Sequence, residues 1–256
     1  MQAQLEDLKR ELNSIVYPVL TLPPEISSEI FLHCIPSTRR LDVVNIDEAP
    51  LLLMRACSAW REIAVSTPAL WSTLDINFAK NLPPHHSSEI VDTWLSRARL
   101  CPLSVTIISP WFGISDLVPF LESLRRHPGG MRSLELNLIL EDYKRMAKHR
   151  MSFPLLQNLT IRLTQNENPG SICVGTFDNV PMLHELLMDF LSPSFIILPW
   201  QQITKFTAGW YTLVECSEAL HLMPNIMECR FVTRFNSDDG VPSDSISHPK
   251  YSRLLW

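Results

Sequence analysis

From residue 131 onward the chain repeats one short unit, apolar-x-x-apolar-x-apolar, and that recurrence constrains the fold more than any other feature. It occurs as Met131/Leu134/Leu136, Leu156/Leu159/Ile161, Leu183/Leu186/Met188, Ile203/Phe206/Ala208, Ile226/Cys229/Phe231 and Tyr251/Leu254/Trp256. Successive units begin 25, 27, 20, 23 and 25 residues apart. Proline marks them: Pro154, Pro181, Pro224 and Pro249 each stand two residues before a unit. Alternating apolar positions put one face of a strand into a core. Self-similarity at this period predicts stacked units that bury their apolar faces only against neighbours.

Upstream the pattern is helical. Leu5, Leu8, Leu12 and Ile15 make a seam only two heptads long before Tyr17-Pro18. It is read either as an amphipathic helix packed on its own chain or as a truncated coiled coil. Leu22-Pro23-Pro24-Glu25-Ile26 suits a helix entry, because proline's missing N–H costs nothing in the first turn. Ile26, Ile30 and Phe31 are expected to share one face. A second helix is expected from Asp47-Glu48-Ala49-Pro50, with Leu53, Cys57, Trp60 and Ala64 at helical spacing. Thr67-Pro68-Ala69-Leu70-Trp71 opens a short turn, and Leu74-Asp75-Ile76 alternates like a strand. Ser88 to Ala98 reads as a helix carrying Ile90, Val91, Trp94, Leu95 and Ala98, and Cys101 to Ile107 as a strand. A further helix carries Leu117, Phe120, Leu121 and Leu124, with Ser115 as its cap and Pro128-Gly129 as its stop.

These pieces carry a resemblance. L-P-x-E-I-x-x-x-I-F, then C-S-x-W-R-x-[IL]-A, then x-P-x-L-W is similar to an F-box. More narrowly, IVYPVLTLPPEI, SEIFLHCIP, APLLL and RACSAWREIAVSTPALW resemble a large fungal family of F-box-like proteins over roughly residues 13–76. The polar insertion between Pro36 and Pro50 departs from the short acidic turn of many F-boxes. The downstream units are similar to leucine-rich repeats. They depart from that family by placing Ile139, Thr164, Leu191, Tyr211 and Arg234 where an asparagine or cysteine ladder is usual.

The expected fold class is therefore α plus α/β: a small helical F-box-like module followed by a short irregular leucine-rich-repeat-like solenoid. Residues 1–17 form the N-terminal helix, 18–78 the F-box-like domain and 79–256 the repeat-like domain. Asn166 to Gly170 and Asn236 to Ser247 are its expected mobile loops. The last unit stops at Trp256 with nothing to cap it, so the chain is expected to be a shortened form or to have that end covered.

The resemblance implies a non-enzymatic substrate-recognition subunit of an SCF-type cullin ubiquitin ligase. Its F-box would hold the Skp-type adaptor and through it a cullin, and its repeats a substrate protein. Carried over by position, the adaptor-binding residues are Leu22, Pro23, Ile26, Ile30 and Phe31 in the first helix. Cys57, Trp60, Ile63, Leu70 and Trp71 follow in the later turns. Any one of them either touches the adaptor or closes the module's own core. The alternatives are an F-box-like scaffold outside any ubiquitin ligase and an α/β hydrolytic enzyme.

Composition narrows the classes. There are 7 glycines against 20 prolines, and neither glycine-rich phosphate loop occurs, which argues against nucleotide binding. A net charge of −5 has the wrong sign for a nucleic-acid footprint. Six cysteines (34, 57, 101, 173, 216, 229) lack metal or disulfide spacing. The charged start MQAQLEDLKREL has no apolar run of a secretory signal, and three prolines interrupt Cys101 to Leu121, the longest weakly charged stretch. A cytoplasmic or nuclear protein with no cofactor, metal, membrane or nucleic-acid partner is expected.

Candidate chemical groups have plainer readings. Ser115 is a helix cap rather than a nucleophile, and His85-His86 belong to a solvated loop. Cys216 and Cys229 are core thiols, and the Asn158-Leu159-Thr160 sequon lies in a buried strand. Lys144, Arg145, Lys148 and Arg150 form a solvated helix face, with Glu141 able to pair with Arg145, or else a phosphate- or RNA-binding patch.

Overall fold

The computed structural model describes residues 4, 6, 21–36, 46–78, 84–109, 117–127, 129–164, 173–233 and 254–255. The N-terminal seam (apart from Gln4 and Glu6, both helical), Ser115, both expected mobile loops, Tyr251 and Trp256 lie outside them. The chain forms two compact units that part between Leu70 and Trp71.

The first unit is helical: α1 (Pro24–His33), α2 (Leu51–Ala56) and α3 (Ser58–Ser66), and a 3-10 turn over Pro68–Trp71 spans its boundary with the second. The single helix expected through Cys57 is two. Cys57 is fully extended (φ −160°, ψ 172°), and its Sγ accepts the Trp60 N–H as the N-cap of α3. Apolar spacing continues across the break, so periodicity alone could not reveal it.

The second unit alternates strand and helix. In order come β1 (Thr73–Asn77), α4 (Pro84–Ala98), β2 (Leu103–Ile108), α5 (Leu117–Arg125), β3 (Met131–Leu138) and α6 (Leu140–Met146). Then come β4 (Asn158–Leu163), β5 (Glu185–Asp189), two 3-10 turns, β6 (Lys205–Tyr211), α7 (Leu213–Leu222), β7 (Glu228–Thr233) and the two-residue β8 (Leu254–Leu255). All strands are parallel, and their order in the sheet is their order in the chain.

The recurring units lie in register. Leu134, Leu159, Leu186, Phe206 and Cys229 form one row across the sheet, and Leu136, Ile161, Met188, Ala208 and Phe231 the next. All but the half-buried Phe231 are buried. Each large side chain so buried contributes about 1.5–3 kcal/mol, and this shared row holds the strands in register.

The expected fold class is corrected by this architecture. The chain does not present a helical F-box module followed by a leucine-rich-repeat solenoid. It is an α/β fold with seven full strands in one all-parallel sheet and seven helices among the described residues. The apolar unit specifies a strand with one buried face but leaves the connection to the next strand open. Here the connections differ in kind. α4 has 15 residues, α5 9 and α6 7, while β5 and β6 are joined through short 3-10 turns.

Polar bonding between connections is supplied by tyrosines. Tyr211 donates to the Leu191 carbonyl, and Tyr143 to the Phe195 carbonyl at 2.8 Å. Burial pushes both phenols well above their ordinary pKa. Gly129 is needed for a close approach, because a Cβ there would lie 2.5 Å from the Cys101 carbonyl oxygen.

Candidate functional site

Pro23 and Pro24 start α1 without a side-chain cap, and the Pro23 carbonyl accepts the Ile26 and Ser27 N–H groups at 3.1 Å. Glu25 complements the positive helix end. Ser28 bonds the Pro24 carbonyl at 2.7 Å and meets the Thr67 hydroxyl at 2.9 Å. Thr67 in turn donates to Ile63 O at 2.7 Å, so α1 is tied to the end of α3.

Ile26, Ile30 and Phe31 do not share one face: the inner face of α1 is Ser27 and Phe31. At 100° per residue, Phe31 lies about 140° around the helix from Ile26, whereas Ile30 lies only about 40° away. Phe31 is 2% exposed and packs on Trp60 with ring centroids 5.1 Å apart. Ile26 and Ile30 are 51% and 45% exposed, and Leu22 lies exposed just ahead of them.

The structure thus sorts the ten candidates. Leu22, Pro23, Ile26 and Ile30 are exposed; Cys57, Trp60 and Ile63 are half-buried; Phe31, Leu70 and Trp71 are sealed in cores. Trp71 belongs to the sheet unit. It packs edge-on against Trp94 at 4.8 Å, with the Arg97 guanidinium 4.3 Å from its ring centroid. Trp94 is held in turn by an N–H bond to Thr73 O at 2.9 Å. Leu52, which periodicity treats as an ordinary flank of Leu53, is exposed on the helical unit, as is Ile46.

The outer sheet face is polar and charged. The Arg162 guanidinium bridges Glu135 on β3 and Asp189 on β5, its Nε 2.9 Å from Asp189 Oδ2. Asn137 donates to Glu135 at 3.3 Å. Lys205 meets Glu185 at 2.7 Å, and that bond raises the Lys205 pKa. Where β5 and β6 end, Phe190 (φ 59°) and Trp210 (φ 65°) both take left-handed backbone. That conformation costs about 1–2 kcal/mol for a residue with a Cβ. Their rings stack at 5.2 Å and 13°, and Trp210 is 52% exposed. No sequence signal marks these two positions, since left-handed backbone predicts glycine or asparagine.

Other candidates resolve plainly. His85 and His86 lie in the first turn of α4 rather than a loop, because the helix starts at Pro84. Arg145 pairs with the buried Asp142 at 3.1 Å, not with Glu141, which takes Lys144 at 3.5 Å. Arg150 meets Asp178 at 3.6 Å, so three of the four basic residues are ion-paired, and Lys148 and Arg150 lie past the end of α6 at Met146 rather than on its face. Cys216 and Cys229 are buried, and burial pushes their thiols up to about 11 and about 12. Among the described residues no group of three His, Cys, Asp or Glu side chains is placed to hold a metal. Among them too, no helix is long and apolar enough to cross a membrane.

No family model, curated protein or solved structure matches the chain.

Proposed function

We propose that the chain is a substrate-recognition subunit of an SCF-type cullin ubiquitin ligase. The α1 surface docks the Skp-type adaptor, and the sheet unit holds a substrate protein. One observation carries the reading: Ile26 and Ile30, with Leu22 just ahead of them, form an exposed apolar row along a helix whose other face already closes its own core. Apolar side chains left out of a small core in one row mark an interface, and a few such anchors carry most of an interface's energy. The F-box-like residues that these positions belong to supply the identity of the partner.

The action is proximity. A chain that binds adaptor and substrate together raises the effective concentration of a substrate lysine near a charged ubiquitin carrier, with no chemistry of its own. Co-purification tests this. The Leu22→Ala/Pro23→Ala double variant is expected to lose the Skp-type adaptor while keeping its circular dichroism spectrum. Unchanged adaptor recovery would refute the assignment.

A further inference from the structure

Two bulky aromatic residues on neighbouring strands hold left-handed backbone, and each breaks the alternation of its strand so that the next residue, Leu191 or Tyr211, turns into the core. Phe190 follows Asp189 at the end of β5, and Trp210 follows Gly209 at a register shift near the end of β6. Asp189 and Gly209 are register partners. The effect of the two outlying conformations is to stack one ring on the other and leave half of the indole open.

The neighbouring charge tells what the open ring suits. A Cβ on Gly209 would lie 2.2 Å from Asp189 Oδ1, so the carboxylate lies across the glycine that precedes Trp210. Arg162 holds the other oxygen, Oδ2, which fixes the carboxylate's orientation. An aromatic face beside an oriented carboxylate attracts a cation. A planar guanidinium fits both at once, stacking on the indole while its edge N–H groups reach the carboxylate; a compact ammonium cannot do both.

We infer that the Trp210–Phe190 stack and the Asp189 carboxylate form a binding site for an arginine side chain of a bound protein. The site rests on the reading that the sheet unit holds a protein partner, but not on adaptor docking at α1.

Fluorescence anisotropy on the full chain, with no adaptor present, tests it. The probe is a fluorescein-labelled peptide of alternating arginine and glycine, with lysine and glutamate counterparts as controls. The arginine peptide is expected to bind best and the glutamate peptide worst. Trp210→Ala should weaken arginine-peptide binding about tenfold. Trp210→Gly should weaken it equally with a melting temperature at or above that of the parent protein, since glycine takes this backbone without strain. Loss of binding in a protein at least as stable separates recognition from folding. Equal binding of arginine and glutamate peptides, or full affinity in Trp210→Gly, would overturn the site. Either result leaves adaptor docking at α1 standing, and failed docking there leaves this site standing.

Discussion

The two faces of α1 make opposite predictions for residues of similar character five positions apart. Phe31→Ala removes a ring that is 2% exposed and packed on Trp60 at 5.1 Å. Phe-to-Ala in a core costs about 3–5 kcal/mol, within which the ring pair accounts for about 0.5–1.5 kcal/mol. Ile26→Ala removes a side chain that is 51% exposed. Alanine is the better helix former, so the net change should stay within about 0.5 kcal/mol. Because the two units need not unfold together, the loss is best read by amide hydrogen exchange across α1 to α3 alongside guanidinium denaturation. Phe31→Ala should speed exchange throughout those helices, and Ile26→Ala should leave it near the parent rate. Equal costs for the two, or a larger cost at Ile26, would show that the faces have been assigned the wrong way round.

The sheet unit carries its own consequences. Tyr211→Phe leaves the Leu191 carbonyl without its donor and should cost about 1–3 kcal/mol by denaturation. Gly129→Ala brings a Cβ against the Leu100 and Cys101 backbone, which cannot swing away, and should cost about 3 kcal/mol or more in the same assay. Cys216 and Cys229 hold their protons in the folded state up to about 11 and about 12, above the ordinary 9.0. Their contribution is therefore complete below pH 9. It falls as pH rises through 9 to 12, because the unfolded chain then releases protons that the folded chain keeps. At pH 8, iodoacetamide should modify the exposed Cys34 and Cys173 quickly and these two slowly, as read by mass spectrometry.

Much of the strand pattern is legible in the residues. The apolar unit at 134/136, 159/161, 186/188, 206/208 and 229/231 names the inner row of five successive strands, because one face of a strand must be buried and the period is two. The connections are not legible, since alternation carries no information on the segment that joins one strand to the next. For the same reason, an α/β sheet reads as an irregular solenoid of repeats. Cys57 is invisible as a helix break because Leu53, Trp60 and Ala64 keep helical spacing across it. At α1 the sequence shows apolar residues but not which of them point inward. The choice of Ser27 over Ile26 is set by the Ser28–Thr67 contact and the Phe31–Trp60 pair, both long-range in the chain. Phe190 and Trp210 cannot be singled out at all, because their conformations run against residue preference.

Calorimetric titration of the full chain with purified Skp-type adaptor tests the central claim most directly. One-to-one binding with a negative heat-capacity change is expected, the mark of apolar surface leaving water. Replacing the exposed pair, Ile26→Ser with Ile30→Ser, should abolish that heat without altering the melting curve. Absence of binding by the parent chain, or undiminished binding by the double variant, would contradict the account.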